Sequence, residues 1–299
     1  MTKIQVRVPA TTANLGPGFD AIGLALDLWN TAEFSIDGEG TRVEVEGEGD
    51  KVLPRNGSNL IVQAALRVYE NAGQEKPSNL LIKCRNGIPL GSGLGSSAAA
   101  VLAGLLGSNA LLGKPLSAEK ILALALELEG HADNVAAALY GRLVLVVQDG
   151  EDIITHQIKV LGWKVVVVIP SISLPTEEAR QRLPDMYARA DVVFNLGRSA
   201  MVVAAFRAGD ANLLARVMDD KLHQPYRVPL IPGARQAIEA AQQIGAAAAL
   251  SGAGPGVAAF VRNGGEEVGE VMQAAFEEKG VESRRFILGV VDEGAEVTG

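Results

Sequence analysis

Residues 89–100 read PLGSGLGSSAAA: three glycines alternate within five positions, two serines follow, and an alanine-rich run begins. Glycines let a backbone approach an anion closely, and the first turn of a helix leaves N–H groups without intrahelical partners. A glycine loop running into a helix therefore offers a cradle for phosphate. The hydroxyls of Ser96 and Ser97 are available there to phosphate oxygens or to a metal ion. Two other phosphate loops do not fit. A Walker loop needs a lysine after its last glycine, and Ser96 stands there instead. Gly93, Gly95 and Ala98 satisfy G-x-G-x-x-[GA], but a dinucleotide fold also needs a second strand ending in an acid about 20 residues on. That region is LSAEK, between two predicted helices. A cradle without its own cation leaves charge neutralisation to Mg2+ or to a distant side chain. The plainer alternative is a strand-to-helix turn with a small-residue helix packed tightly on a sheet.

The elements around the loop follow from periodicity. IQVRV, AIGLALDLW, TAEFSI and RVEVEGE are short, partly alternating runs separated by Gly, Asn and Pro, and they predict strands. SNLIVQAALRVYENAG has helical spacing, with Ser58 or Asn59 as cap and Gly73 past its end. LLIKC is a strand leading into the glycine loop; SSAAAVLAGLLGSNALLG, SAEKILALALELEG and HADNVAAALYG are helices, and RLVLVV is a strand. The texture changes near Gly162. WKVVVVIP reads as a buried strand, and helices dominate the next eighty or so residues. AAAALSGAGPGVAAFVR is strand, glycine loop, strand; the helix EEVGEVMQAAFEEKG and the strand SRRFILGVV follow. This is the order of a split βαβ unit. It places a boundary near residue 160, between lobes 1–160 and 161–299.

Composition narrows the class. The chain has 299 residues, 48% apolar and 21% charged, a soluble globular balance; aromatics are only 4%, so Ala, Val, Leu and Ile must build the core. The formal net charge is -8 with no dense Lys/Arg run, which argues against a nucleic-acid or anionic-membrane surface. The lone Cys84 excludes an intrachain disulfide and reads as a packed thiol. Three scattered histidines give no zinc spacing. No stretch approaches the ~20 apolar residues of a membrane span, and MTKIQVRVPATT lacks a signal-peptide core, so a cytoplasmic protein is expected.

Two further segments carry a resemblance. VPATTANLGPGFDAIGLAL (8–26) and ALSGAGPGVAAF (249–260) closely resemble the first and third motifs of the GHMP kinases, and PLGSGLGSSAAA is similar to their second, ATP-binding motif. Within that family PATTANLGPGFD and EGHADNV most resemble the members acting on L-homoserine. TEEARQRLP and HQPYRVPLIPG extend the similarity over nearly the whole chain. The resemblance implies an α+β, two-lobed fold: an N-terminal lobe like ribosomal protein S5, a ferredoxin-like C-terminal lobe, and substrate between them. It implies transfer of the γ-phosphoryl group of ATP to the side-chain hydroxyl of L-homoserine, in threonine biosynthesis, and a homodimer. A mevalonate- or sugar-directed kinase of the same family is the runner-up, and a non-catalytic binding protein of this fold comes third.

The same resemblance implies roles. Pro89, Leu90, Gly91, Ser92, Gly93, Leu94, Gly95, Ser96, Ser97, Ala98 and Ala99 hold the triphosphate, and Ser96 or Ser97 contributes to Mg2+. Glu129 is the acidic Mg2+ ligand, with Glu127 as the alternative. Asp20 suits the substrate ammonium, and the planar forks of Arg180 and Arg227 suit its carboxylate. Asn14 and Asn134 can hydrogen-bond the attacking hydroxyl or the amino-acid head, His131 lines the pocket, and Thr176 contacts the γ-phosphate. Simpler readings stand beside these: turn residues at Asn14 and Asp20, helix caps at Asn134 and Thr176. Asn134 stands where relatives carry a basic aspartate, so transfer without a protein base is expected, with Asp133 as the lesser candidate.

Overall fold

A computed structural model describes residues 3–37, 39–150, 152–160 and 162–299. Residue 161, the expected start of the second lobe, lies outside the described residues, as do the first two residues of the N-terminal segment. The first half folds as β1 (Ile4–Ala13), β2 (Ile22–Ile36), β3 (Arg42–Gly47), α1 (Leu60–Asn71), β4 (Leu80–Asn86), α2 (Ser96–Leu111), α3 (Ala118–Glu129), α4 (Asp133–Tyr140), β5 (Leu143–Asp149) and β6 (Asp152–Ile158). The second half supplies β7 (Lys164–Pro170), α5 (Thr176–Gln181), α6 (Arg189–Ala208), α7 (Ala211–Val217), α8 (Gln224–Arg227) and α9 (Ala234–Gln243). It ends with β8 (Ala247–Leu250), β9 (Val257–Val261), α10 (Glu266–Glu277), β10 (Ser283–Gly289) and β11 (Glu296–Thr298).

Two sheets result. The larger runs β11-β1-β2-β4-β3, with β5 pairing both β2 and β6; only β3 and β4 are parallel. The smaller, β10-β7-β9-β8, is antiparallel throughout, the strand order of a ferredoxin-like unit. Three features differ from the periodicity reading. The two strands expected over 21–36 are one 15-residue β2: Asn30 stays paired with Val8 on one side and Asn86 on the other, and the register shift against β1 falls opposite Pro9 and Ala10. The edge strands β6 and β11 are too polar or too short to register in the sequence, and β11 carries the chain's end back to β1 in the first sheet.

β7 shows why a run of valines makes a central strand. Val165, Val167 and Ile169 face one core, shared with the first lobe; Val166 and Val168 face another, against α9 and α10. Successive side chains of a strand alternate between faces, so burial on both sides demands continuous apolarity. Trp163, Phe206 and Phe260 join the larger core, Phe206 meeting Trp163 in a tilted contact (centroids 4.9 Å apart) and Phe260 edge to face (5.3 Å). Cys84 is buried, as expected, and burial pushes its thiol up to about 12. Among the described residues no helix is long and apolar enough to cross a membrane.

Candidate active site

The glycine loop takes its shape from left-handed backbone. Gly91, Gly93 and Gly95 have φ of 57°, 79° and 70°, values that L side chains avoid. Space forbids side chains as well: a Cβ on Gly93 would run into the Ser251 carbonyl, and one on Gly95 into Thr11 Oγ1. Gly95 caps α2 with no side-chain hydrogen bond, so the N–H groups of the first turn stay open to an anion. This is the geometry of a phosphate cradle.

Backbone bonds stitch two distant segments to this loop and to each other. Thr11 N–H donates to Leu94 O at 3.0 Å, Gly256 N–H to Ser92 O at 3.2 Å, and Gly252 N–H to Ala13 O at 3.2 Å. The buried Ser251 hydroxyl lies 2.7 Å from Gly93 O and 2.9 Å from Thr12 Oγ1. Asn14, with φ 69°, donates from Nδ2 to Gly252 O at 2.8 Å and accepts the Asp20 N–H on Oδ1 at 2.9 Å. The three glycine-rich segments thus close around one cleft of about 470 Å³.

The cleft gathers most of the residues singled out in the sequence: Asn14, Asp20, Gly91, Ser92, Gly93, Gly95, Ser96, Ser97, Ala98, Glu129, His131, Asn134, Thr176, Arg180 and Arg227 all line it, with Asp133 and Gly252–Gly254. Four of the expected cradle residues do not. Pro89 and Leu94 are buried and shape the loop through their carbonyls, which accept from Ser92 Oγ and Thr11 N–H. Leu90 and Ala99 face a second, more apolar cleft of about 410 Å³. That side cleft opens off Gly91, Ser96 and Ser97 and is lined by Leu53, Pro54, Leu60, Cys84 and Ala103.

At the acidic wall Ser96 and Ser97, and likewise Glu127 and Glu129, have different surroundings. Ser97 Oγ donates to Glu129 Oε1 at 2.5 Å, whereas Ser96 Oγ turns toward Ile88 O at 3.5 Å. Glu127 points away, paired with Arg67 at 2.8 Å. Burial raises the Glu129 carboxyl above its ordinary range, against the opposing Ser97 hydrogen bond and His131. His131 Nδ1 lies 3.3 Å from Asp133 Oδ1. Burial alone would lower this imidazole, but Asp133 outweighs it and holds the ring above its usual value. Asn134 Oδ1 accepts from Thr11 Oγ1 at 2.8 Å, and its N–H donates to Asp133 Oδ1 at 2.8 Å. The acid, not Asn134, serves the start of α4. Thr176 is the first residue of α5, whose cap is Pro175, so capping does not account for its hydroxyl. No group of three or more His, Cys, Asp and Glu among the described residues is arranged to hold a metal alone.

The opposite wall is cationic. Arg180 makes a two-pronged pair with Asp20, at 2.9 and 2.7 Å, and this partner raises its pKa further. Arg227 is 1% exposed. Its Nη1 meets His223 Nδ1 at 3.4 Å, its Nε donates to Ala179 O at 3.4 Å, and its plane lies over the Phe19 ring. Nη2 has no partner among the described residues. Burial first, then the neighbouring Arg180, pushes this guanidinium down to about 10. A buried, still charged fork that lines the cleft and has one N–H edge without a partner suits an anion. Sequence reading missed Thr11, Ser251 and His223, since each has side-chain partners far along the chain: Asn134, Gly93 and Gly16 respectively.

Two family models match, one described as the GHMP kinases N terminal domain over residues 59–142, the other as GHMP kinases C terminal over 202–278. The chain belongs to the GHMP kinase family. It is 44% identical over 294 residues to a homoserine kinase of Moorella thermoacetica, covering 98% of this chain and 99% of that one. It is equally 44% identical over 300 residues to a homoserine kinase of Prochlorococcus marinus, covering 98% and 95%. The crystal structure of homoserine kinase from Cytophaga hutchinsonii superposes with a TM-score of 0.88 at 31% identity, covering 100% of this chain and 98% of that chain.

Proposed function

We propose that this chain is a homoserine kinase, transferring the γ-phosphoryl group of ATP to the side-chain hydroxyl of L-homoserine to give O-phospho-L-homoserine. One observation carries the reading: a single cleft has an uncapped glycine cradle and Glu129 on one wall, and Arg227 with a free guanidinium edge on the other. The first suits a triphosphate and the second a carboxylate. The apolar side cleft that opens off the cradle suits the adenosine end of ATP.

In this reading the first turn of α2 holds the phosphates through Ser96–Ala98 N–H groups. Ser97 and Glu129 would hold Mg2+, whose charge offsets that of the phosphates in place of a loop lysine. A hydroxyl–carboxylate pair of hard oxygens fits that ion, and Ser96 fits it less well because its hydroxyl is turned to a backbone carbonyl. Arg227 and Arg180 receive the substrate carboxylate and Asp20 its ammonium. Asp20 and Arg180 neutralise each other here, so a zwitterion exchanges one ion pair for two of the same kind. Mevalonate has a carboxylate but no ammonium for Asp20, and a sugar has neither. The substrate hydroxyl attacks the γ-phosphorus, the bond to the ADP oxygen breaks, and the proton leaves to phosphate or water. Asn134 and Thr176 orient the reacting groups. Asp133 is a poor base because its Oδ1 already accepts the Asn134 N–H and faces His131.

The test is ADP release with Mg-ATP and L-homoserine, mevalonate or galactose offered separately. Turnover with L-homoserine alone supports the reading; turnover with another acceptor in its place overturns it. Three further proposals are the division into lobes 1–160 and 161–299, which rests on the sequence pattern, homodimerisation, which rests on the resemblance, and a cytoplasmic setting, which rests on composition. Sedimentation velocity reads the second of these directly.

A further inference from the structure

His223 is fully buried, lies next to the cleft and has no part in the scheme above. Its ring stacks on Phe19, with centroids 5.2 Å apart and planes 19° from parallel. Two acceptors face Nε2: the Gly16 carbonyl at 2.8 Å and Asp220 Oδ2 at 3.6 Å. Only a donor, Arg227 Nη1, faces Nδ1, at 3.4 Å. Nε2 must therefore carry the proton, and Nδ1 must present its lone pair to the guanidinium.

A charged ring is opposed by the same surroundings. It would have no acceptor for the second N–H and would set two buried cations in contact. Asp220 offsets this only in part: it lies on the Nε2 side at 3.6 Å, and its oxygens already accept from Asn195 Nδ2 at 2.6 Å and from the N–H groups of Leu222, His223 and Gln224 at 2.9, 2.9 and 2.6 Å. Burial accordingly holds the imidazole below its ordinary value. The ring also joins two loops. Gly16 belongs to the segment that carries Asp20, and Arg227 lies one helical turn after His223, so one imidazole references the ammonium side and the carboxylate side of the cleft to each other.

We propose that His223 is a positioning residue for carboxylate recognition: as a neutral ring protonated on Nε2, it anchors Gly16 and holds Arg227 by Nη1, leaving Nη2 turned to the substrate. This rests on the reading of Arg227 as the carboxylate receptor.

Two substitutions separate the ring nitrogens. His223→Gln places an amide nitrogen near the old Nε2 and keeps the Gly16 bond but removes the acceptor for Arg227. His223→Asn places Oδ1 near the old Nδ1 and keeps that acceptor. In the full-length enzyme His223→Gln is expected to raise KM for L-homoserine roughly 10-fold, the low end for a hydrogen bond to a charged group. kcat and KM for ATP should stay within about 2-fold on the same reasoning, because neither the phosphate cradle nor the reacting atoms is touched. His223→Asn, which loses the Gly16 bond but keeps the acceptor for Arg227, should raise KM for L-homoserine less than His223→Gln does. A wild-type homoserine KM in His223→Gln, an Asn variant as impaired as the Gln variant, or a parallel rise in KM for ATP overturns the proposal. Should the variants not fold, the ring 15N shifts of His223 in the wild-type protein at neutral pH decide it. A neutral Nε2–H ring supports it, and an Nδ1–H ring or an imidazolium overturns it. Arg227→Ala separates the two levels: an unchanged homoserine KM sinks the carboxylate reading itself. A raised KM there with a wild-type His223→Gln sinks only the positioning role.

Discussion

Arg227 and Glu129 both lie where burial opposes the charge they carry, and both line the cleft. Groups held against their preference in a cleft are the ones a ligand can relieve. Arg227→Lys keeps a charge but not the fork, so KM for L-homoserine should rise roughly 10- to 100-fold, the 1.5–3 kcal/mol of a charged hydrogen bond. Steady-state kinetics at saturating ATP reads this. Glu129 has a raised pKa in the folded state, so its ionised form destabilises the free protein. That effect begins as pH rises past the unfolded value and is complete above the folded one. Glu129→Gln should therefore keep or raise Tm while kcat collapses. A fall in Tm would contradict this account of the site. The same shift gives an acid limb of the pH–rate profile above the ordinary carboxylate range. Added Mg2+ should move that limb to lower pH, since metal and proton compete for one carboxylate.

At the scale of elements, the cleft depends on how the loop before α2 is braced by the turn between β8 and β9. Gly93 has both a left-handed φ and a neighbour where its Cβ would be. Gly93→Ala should cost about 1–3 kcal/mol of stability and raise KM for ATP at least 10-fold, because relief of the clash must move the cradle. Ser251→Ala loses the contacts to Gly93 O and Thr12 Oγ1 but adds no clash. It should cost about 1–2 kcal/mol by denaturant titration, with a smaller change in KM for ATP. If Gly93→Ala left KM for ATP unchanged, the loop would not be the phosphate site.

At the scale of the molecule, the two sheets share a core. Val6, Phe34 and Leu102 belong to the same apolar cluster as Trp163, Phe206 and Phe260, and β11 returns to the first sheet. Thermal unfolding is therefore expected as one calorimetric transition rather than two, and two resolved transitions would refute the shared core. Phe206→Ala should lower stability by about 3–5 kcal/mol. Much of this organisation is local and was legible in the chain. The glycine loop, the Asn59 cap of α1 and the two-faced valine strand depend on residues adjacent in sequence, whose backbone and burial needs are written in their types. The choice of Glu129 over Glu127 is partly local too, since two positions on a helix lie about 200° apart and face opposite sides. Nothing local announced β11, or that Ser251 braces Gly93, or that His223 meets Gly16. Those contacts join residues 158 to more than 200 positions apart, and only packing of the whole chain brings them within hydrogen-bond reach. The sequence by itself determined which groups were available to bind phosphate and a zwitterion. Tertiary structure alone decided which of them share a cleft, because the distances that chemistry needs are set between elements and not within them.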